Sequence, residues 1–408
     1  MRTDEERKAR TDESKVRSGQ DPDFRLAPDV ESEEDSGDAQ VGAFQALLHD
    51  RRKLGSGLLL IVLIIGAIYL LFPKVVGIDD SMARFDEATW YWLVIAVGFN
   101  VVAFAAYVAL FRGVLGGVDL EAVRRRLDWR ASYQITMAGL AATRIFSAAG
   151  AGGIVLTYWA LKKAGLPTRR AACRMVAFLA LMYGVYTAAL VIFGILLRTS
   201  VFPGEAPFGG TVVPAVVDAG VIAVFALMAL IPQDVERRIS SFAGGYRRQR
   251  YLLRLAKGPA TVATGVRTAI AFVRHPRGGA TAVVGAIGFW AANIGVLWAS
   301  FEAFGGDVPF AVLVQGFFVG MAANLIPSPA GGVGSVDAGM IGAFVLFSVP
   351  SEVVFPAVLT YRVIAFWLPI PPGVVAYFQL RKTVSRWEQE SQVETGLGVY
   401  TSESKVSV

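Results

Sequence analysis

Apolar positions along this 408-residue chain gather into eight long runs, after a polar start of about fifty residues. Gly55–Phe72, Trp90–Phe111, Met175–Leu197 and Gly278–Phe301 carry no charge, and Thr211–Pro232 carries only Asp218. Three runs are interrupted. Ala131–Leu161 holds Arg144 and then Gly150, Gly152 and Gly153. Val308–Val349 is broken by Pro327, Pro329, Gly331, Gly332 and Gly334. Val353–Leu380 holds Arg362 and then Pro369, Pro371 and Pro372. An apolar run of about 20 residues matches the hydrocarbon thickness of a bilayer, so these runs predict membrane helices.

Composition agrees and narrows the class. The chain is 54% hydrophobic and 18% charged, with mean hydropathy +0.51. A soluble chain carries about 25% charged residues. A water-soluble enzyme, a disulfide scaffold and a coiled coil are thereby excluded. Cys173 is the only thiol, so neither an intrachain disulfide nor a Cys-based zinc site can form. His49 and His275 both lie in polar flanks, which leaves little for haem, zinc or Ser-His-Asp chemistry. No cofactor and no metal are expected. No signal peptide is read at the start, because Met1–Val30 is polar throughout.

Charge is split along the chain. The first forty residues hold thirteen Asp/Glu and seven Lys/Arg, a net −6, against +6 for the whole chain. Such a segment cannot bury enough surface to fold, so residues 1–50 are read as a disordered acidic cytoplasmic tail. The cations orient the spans. Arg51–Lys53, Arg124–Arg126 with Arg130, the loop 233–277, and Arg381, Lys382 and Arg386 lie inside by the positive-inside rule. The loops with Asp79, Asp80, Glu205, Asp307 and Glu352 face outward. Both termini are then cytoplasmic in a plasma membrane.

This parity holds only if Ala131–Leu161 enters from inside and returns, and Val308–Val349 enters from outside and returns. The expected fold is therefore an all-α integral membrane protein with six spanning helices plus two broken re-entrant helical hairpins, arranged as an inverted-topology repeat. The membrane domain covers 51–382, with halves at about 90–197 and 278–380, and a cytoplasmic C-terminal tail covers 383–408. At an offset of 181, residues 142–153 and 323–334 match at six of twelve positions. Both stretches are rich in small residues, so coincidence competes with repetition.

Breakers and charges inside apolar runs mark candidate chemistry. Unpaired backbone groups in lipid cost several kcal/mol each, so Pro/Gly breaks belong where protein or water covers them. Paired breaks in two halves point to a transporter's binding site, with close packing through small residues as the plainer reading. Arg144 and Arg362 suit a phosphate, or each closes a structural ion pair, for instance Arg362 with Asp337. Asp337 is a candidate for proton coupling, for that ion pair, or for an interfacial position. Asp218 reads as interfacial, close to the outer end of its span. Asn100 and Asn293 read as helix glue. Gln315 and Asn324 are placed to line a cavity, with Ser328 beside them. The cationic stretch Tyr246–Lys257 reads as an interfacial helix and not as a nucleic-acid surface.

The run Asn324–Asp337, followed by Leu359-Thr-Tyr-Arg-Val-Ile-Ala-Phe-Trp-Leu-Pro369, resembles the signature of the flippase-like transmembrane domain of lysylphosphatidylglycerol synthases. Arg144–Gly153 and Ala160–Pro167 look like its earlier half, and the likeness covers about Leu54–Lys382. Two departures stand out. The family's P-G-G is here Pro329-Ala330-Gly331-Gly332, and the charged pair often found after the first hairpin is missing from Ala177–Tyr186. About 26 residues follow Lys382, too few for an aminoacyl-transferase domain, so lysyl transfer is not expected.

The broken inverted pair and the intramembrane arginines, together with this resemblance, lead to the expectation of a lipid flippase or scramblase, not an enzyme, that moves a phospholipid or polyprenyl-phosphate-linked lipid. Arg144 and Arg362 would meet the phosphate, with Asn324, Ser328 and Gln315 on neighbouring polar atoms. Two other classes stay open: a secondary transporter of a small anion or metabolite, and an integral-membrane lipid transferase. Membrane lipids are the expected partners, with a second copy of the chain or a lipid-synthesising enzyme as further candidates.

Overall fold

A computed structural model describes residues 88–115, 121–145, 151–230, 261–325 and 332–404. The tail over residues 1–50, the first apolar run Gly55–Phe72 and most of the basic loop lie outside them. The described residues are helical and contain no strand. In chain order they form α1 (Trp90–Leu115), α2 (Glu121–Arg126), α3 (Trp129–Ile145), α4 (Ala151–Lys163), α5 (Thr168–Arg198) and α6 (Phe208–Ala229). A helical stretch over 261–274 leads to α7 (Pro276–Ala303), α8 (Phe310–Met321), α9 (Ser335–Leu346), α10 (Ser351–Arg362) and α11 (Ile370–Ser404). A 3-10 turn, Ala322–Leu325, extends α8, and a π-helical turn, Val363–Trp367, joins α10 to α11.

Five helical stretches are long and apolar enough to cross a membrane: Trp90–Leu115, Thr168–Arg198, Phe208–Leu227, Gly278–Ala303 and Ser351–Ser391. They coincide with five of the six predicted spans. Their outward faces are apolar as a lipid neighbour requires; on α6, Val213, Val216, Val217 and Leu227 are all exposed.

The interrupted runs Ala131–Leu161 and Val308–Val349 form pairs of short helices, α3 with α4 and α8 with α9. At about 1.5 Å per residue each is shorter than the ~30 Å hydrocarbon layer. Glycine lets the helices of each pair touch. A Cβ on Gly153 would run into Thr143 Oγ1 and the Gly139 carbonyl. A Cβ on Gly320 would lie 2.5 Å from Met340 Cα. Gly139 and Gly320 stand 181 residues apart, the offset of the sequence echo.

The core lies between α1, α5, α7, α8, α9 and α10. Trp290, Phe301, Phe317, Phe318, Phe344, Val358 and Tyr361 fill it, with ring pairs at 5.0–6.1 Å. α1 and α7 pack closely where Gly113 faces Ala282 and Gly285 faces Leu110.

α11 continues past Lys382 to Ser404, so the first part of the C-terminal stretch 383–408 is helical. Its Tyr377, Leu380, Val384 and Trp387 recur at helical spacing and are buried, which carries the amphipathic pattern beyond the apolar run. Asp218 departs from its reading. α6 begins at Phe208, so Asp218 lies about 15 Å along it. It is buried on the inward stripe with Thr211, so it is not an interfacial residue at the outer end.

Candidate functional site

The π-turn is the structural centre of the candidate site. Leu368 N–H donates back to the Val363 carbonyl at 2.9 Å, one residue farther than in an α-helix. Pro369, Pro371 and Pro372 follow and have no N–H to return to the turn. Only Ile370 keeps an N–H among residues 369–372, and the carbonyls of Ile364, Ala365 and Phe366 accept side-chain donors instead. Asn100 of α1 supplies one, its Nδ2 donating to the Ile364 carbonyl at 2.8 Å. Arg144 of α3 supplies two, with Nη1 donating to the Phe366 carbonyl at 2.6 Å and Nη2 to the Ala365 carbonyl at 3.0 Å. The last span is thus pinned by the first span and by the first short-helix pair.

Arg362 ends α10 just before this turn and is 4% exposed. Its Nε lies 2.6 Å from Asp337 Oδ1, and its Nη2 donates to the Gly332 carbonyl at 3.2 Å. Asp337 is the third residue of α9, and its Oδ2 accepts the Gly334 N–H at 2.9 Å. That side chain reaches back to the helix start, where a carboxylate is favoured by free N–H groups and the helix dipole. Gly332 and Gly334 have φ of +92° and +84°, conformations that exclude most side chains. The broken second run therefore becomes a tight turn tied to α10 by an ion pair and a carbonyl contact.

One ring joins the two arginines. The Arg362 and Arg144 guanidinium carbons lie 4.4 and 5.0 Å from the Phe366 ring centroid. Arg144 also lies over Phe104 at 5.9 Å. Each such contact contributes about 0.5–2 kcal/mol. Two permanent cations meet here. Among the described residues Asp337 is the only carboxylate paired with either, so one positive charge is left over. Arg144 is half-buried and keeps part of its donor fork for another acceptor.

The model of the lysylphosphatidylglycerol synthase TM region matches residues 57–373, most of the chain. The chain belongs to that family. A 79-residue stretch is also 30% identical to a UPF0104 membrane protein of Methanothermobacter thermautotrophicus, covering 19% of this chain and 24% of that protein. Membership of the family, with five long apolar helices among the described residues, makes this a multi-pass membrane protein.

In this family member the predicted site residues separate into two places. Arg144, Arg362, Asp337, Gly332 and Gly334 surround the π-turn. Asn324 stands beside Gly332: its Oδ1 would be 2.9 Å from a Cβ built there. Gly152 and Gly153 lie in the first turn of α4. Gln315 does not join this group. It is fully buried, and its Nε2 donates to the Gly210 carbonyl of α6 at 3.0 Å. Pro214 explains that bond, because it lacks the N–H that would meet Gly210 four residues earlier. Gly150, Pro327, Ser328, Pro329 and Gly331 lie outside the described residues.

Phe366 and Phe104 were not singled out by the sequence reading. Their signal was available as aromatics within a turn of Arg362 and opposite Arg144. No group of three or more His, Cys, Asp or Glu able to hold a metal occurs among the described residues.

Proposed function

We propose that this protein moves a phosphate-bearing lipid, a phospholipid or a polyprenyl-phosphate-linked lipid, between the leaflets of the plasma membrane. The observation that carries this reading is the surplus positive charge at the π-turn, where two short-helix pairs meet the last span. A charge inside a membrane is costly, and it marks a pathway when it is not fully neutralised. Arg144 is the residue that touches the head group, since it is half-buried and its fork is only partly used. Arg362, held by Asp337 and closed in, contributes field. Asn324, exposed beside Gly332, reaches neighbouring polar atoms of the head group, and Ser328 is assigned the same role from its place in the break. The acyl or prenyl tails stay in lipid along the apolar outer faces.

The reading assigns no bond-making chemistry to the chain; it is a transporter and not an enzyme. Both termini are cytoplasmic, and the partners are membrane lipids. The test is reconstitution into vesicles with fluorescent phospholipids and labelled polyprenyl-phosphate lipids. Label should cross faster than in protein-free vesicles, and Arg144→Gln should slow it at least tenfold, the loss of about 1.4 kcal/mol in the rate barrier. If neither class of lipid crosses faster than in empty vesicles, the proposal is overturned.

A further inference from the structure

Asp218 is a second ionisable group inside the spans, away from the π-turn. It is 9% exposed, about 15 Å along an apolar 22-residue helix. Among the described residues it has neither an ion pair nor a hydrogen bond, unlike Asp337, whose two oxygens are committed to Arg362 and Gly334. A bare carboxylate at this depth costs at least about 2.5–3.5 kcal/mol on insertion scales. It avoids that cost by taking a cation, and the smallest one needs no further ligands.

The surroundings fit a proton better than a metal ion. α5 and α8 pack against α6. From α5, Tyr186 is the titratable group that interacts electrostatically with Asp218. α8 carries no titratable side chain, and α6 carries no other. Tyr186 Oη donates to the Phe318 carbonyl at 2.7 Å, so it is anchored in place. A metal ion would need several oxygen ligands around one carboxylate. The chain neighbours Val217 and Ala219 are exposed, so the group sits one residue from the lipid face.

We propose that Asp218 is a proton-exchange site inside the membrane, which takes up a proton and releases it as the lipid moves. The coupling part of this inference rests on the lipid-moving reading above; the proton site itself does not. The step is a simple transfer. The O–H bond forms on Asp218 with a proton from water on one side and breaks to water on the other, with no redox change.

Two experiments separate these parts. Dicyclohexylcarbodiimide reacts with a carboxyl group that carries its proton in apolar surroundings. In vesicles near neutral pH it should modify the Asp218 peptide, as read by mass spectrometry, and labelling should fall as pH is raised. Asp218→Asn should carry no label there. An unmodified Asp218 peptide in folded wild type overturns the proton site. Lipid movement is then measured with and without an imposed pH gradient. The wild-type rate should change several-fold with the gradient, and Asp218→Asn should lose that response. Lipid that moves at one rate regardless of the gradient overturns the coupling and leaves the lipid-moving reading standing. Lipid that does not move overturns that reading, while the labelling still decides the proton site.

Discussion

Arg362 Nε and Asp337 Oδ1 stand 2.6 Å apart in the buried interior and tie the last span to the second short-helix pair. Neither atom has an aligned hydrogen bond among the described residues, so the attraction is mainly Coulombic. Removing one partner of a buried pair leaves a bare charge and costs about 3–5 kcal/mol, whereas replacing both with apolar groups is often neutral. Asp337→Asn and Arg362→Met should each lower the melting temperature in detergent by several degrees. Asp337→Leu with Arg362→Met should recover most of the loss. Additive losses in the double variant would show that the two side chains do not act as a pair.

The π-turn carbonyls give a second prediction. Asn100 is needed because Pro369 returns no N–H, so its amide caps the Ile364 carbonyl. Asn100→Ala should cost about 1–3 kcal/mol, the usual penalty for an unpaired buried group. In a Pro369→Ala background that cost should shrink, because the restored N–H can serve the turn. Gln315 and Pro214 form the same relationship on α6, so Pro214→Ala should relieve Gln315→Leu. Thermal unfolding of each four-member cycle reads the coupling directly; equal costs in both backgrounds would refute the proline explanation.

These two prolines also mark the limit of what was legible in the sequence. Hydropathy located five spans now seen as helices, because an apolar run of bilayer length has few other uses. Charge parity and the Pro/Gly breaks pointed to the short-helix pairs. Arg362 with Asp337 was one of two readings kept for that arginine. Gln315 looked like a cavity residue because its partner is a backbone carbonyl some hundred residues earlier, and a carbonyl leaves no mark in a sequence. The usable signal was Pro214 inside an apolar run, which announces an orphaned carbonyl four residues before it. The π-turn was hidden for the same reason, and so was the shared use of Phe366 by two arginines from opposite halves. α11 past Lys382 carries its inward face as spaced apolar residues within a polar stretch, a pattern that a span search passes over.

The glycine contacts separate packing from flexibility. Gly320→Ala places a methyl against the Met340 backbone, so α8 and α9 must part. Overpacking of this kind costs about 1–3 kcal/mol. Gly98 lies on α1 with nothing within 4 Å of an added Cβ, and Ala is the better helix former. Gly98→Ala should therefore leave the melting temperature unchanged or slightly higher, while Gly320→Ala lowers it. Equal effects at both sites would mean that the close approach of α8 and α9 is not limiting.

α11 holds the first short-helix pair by two kinds of contact, and their sizes differ. Lys163 Nζ meets Glu388 Oε1 at 2.8 Å, with both side chains at least 40% exposed. Such surface pairs contribute about 0–1 kcal/mol and weaken with salt. Trp387 and Val384 are buried at 6% and 3%, and Thr383 Oγ1 donates to Gln134 Oε1 of α3 at 2.9 Å. Burying large apolar side chains is worth more, about 3–5 kcal/mol for Trp→Ala in a packed site. Trp387→Ala should therefore release α11 from α3, detected as faster protease cleavage after Lys382, at low and high salt alike. Lys163→Gln should change cleavage little at low salt and not at all at high salt. If Lys163→Gln exposes α11 as strongly as Trp387→Ala, the helix is held by charge and not by its buried face.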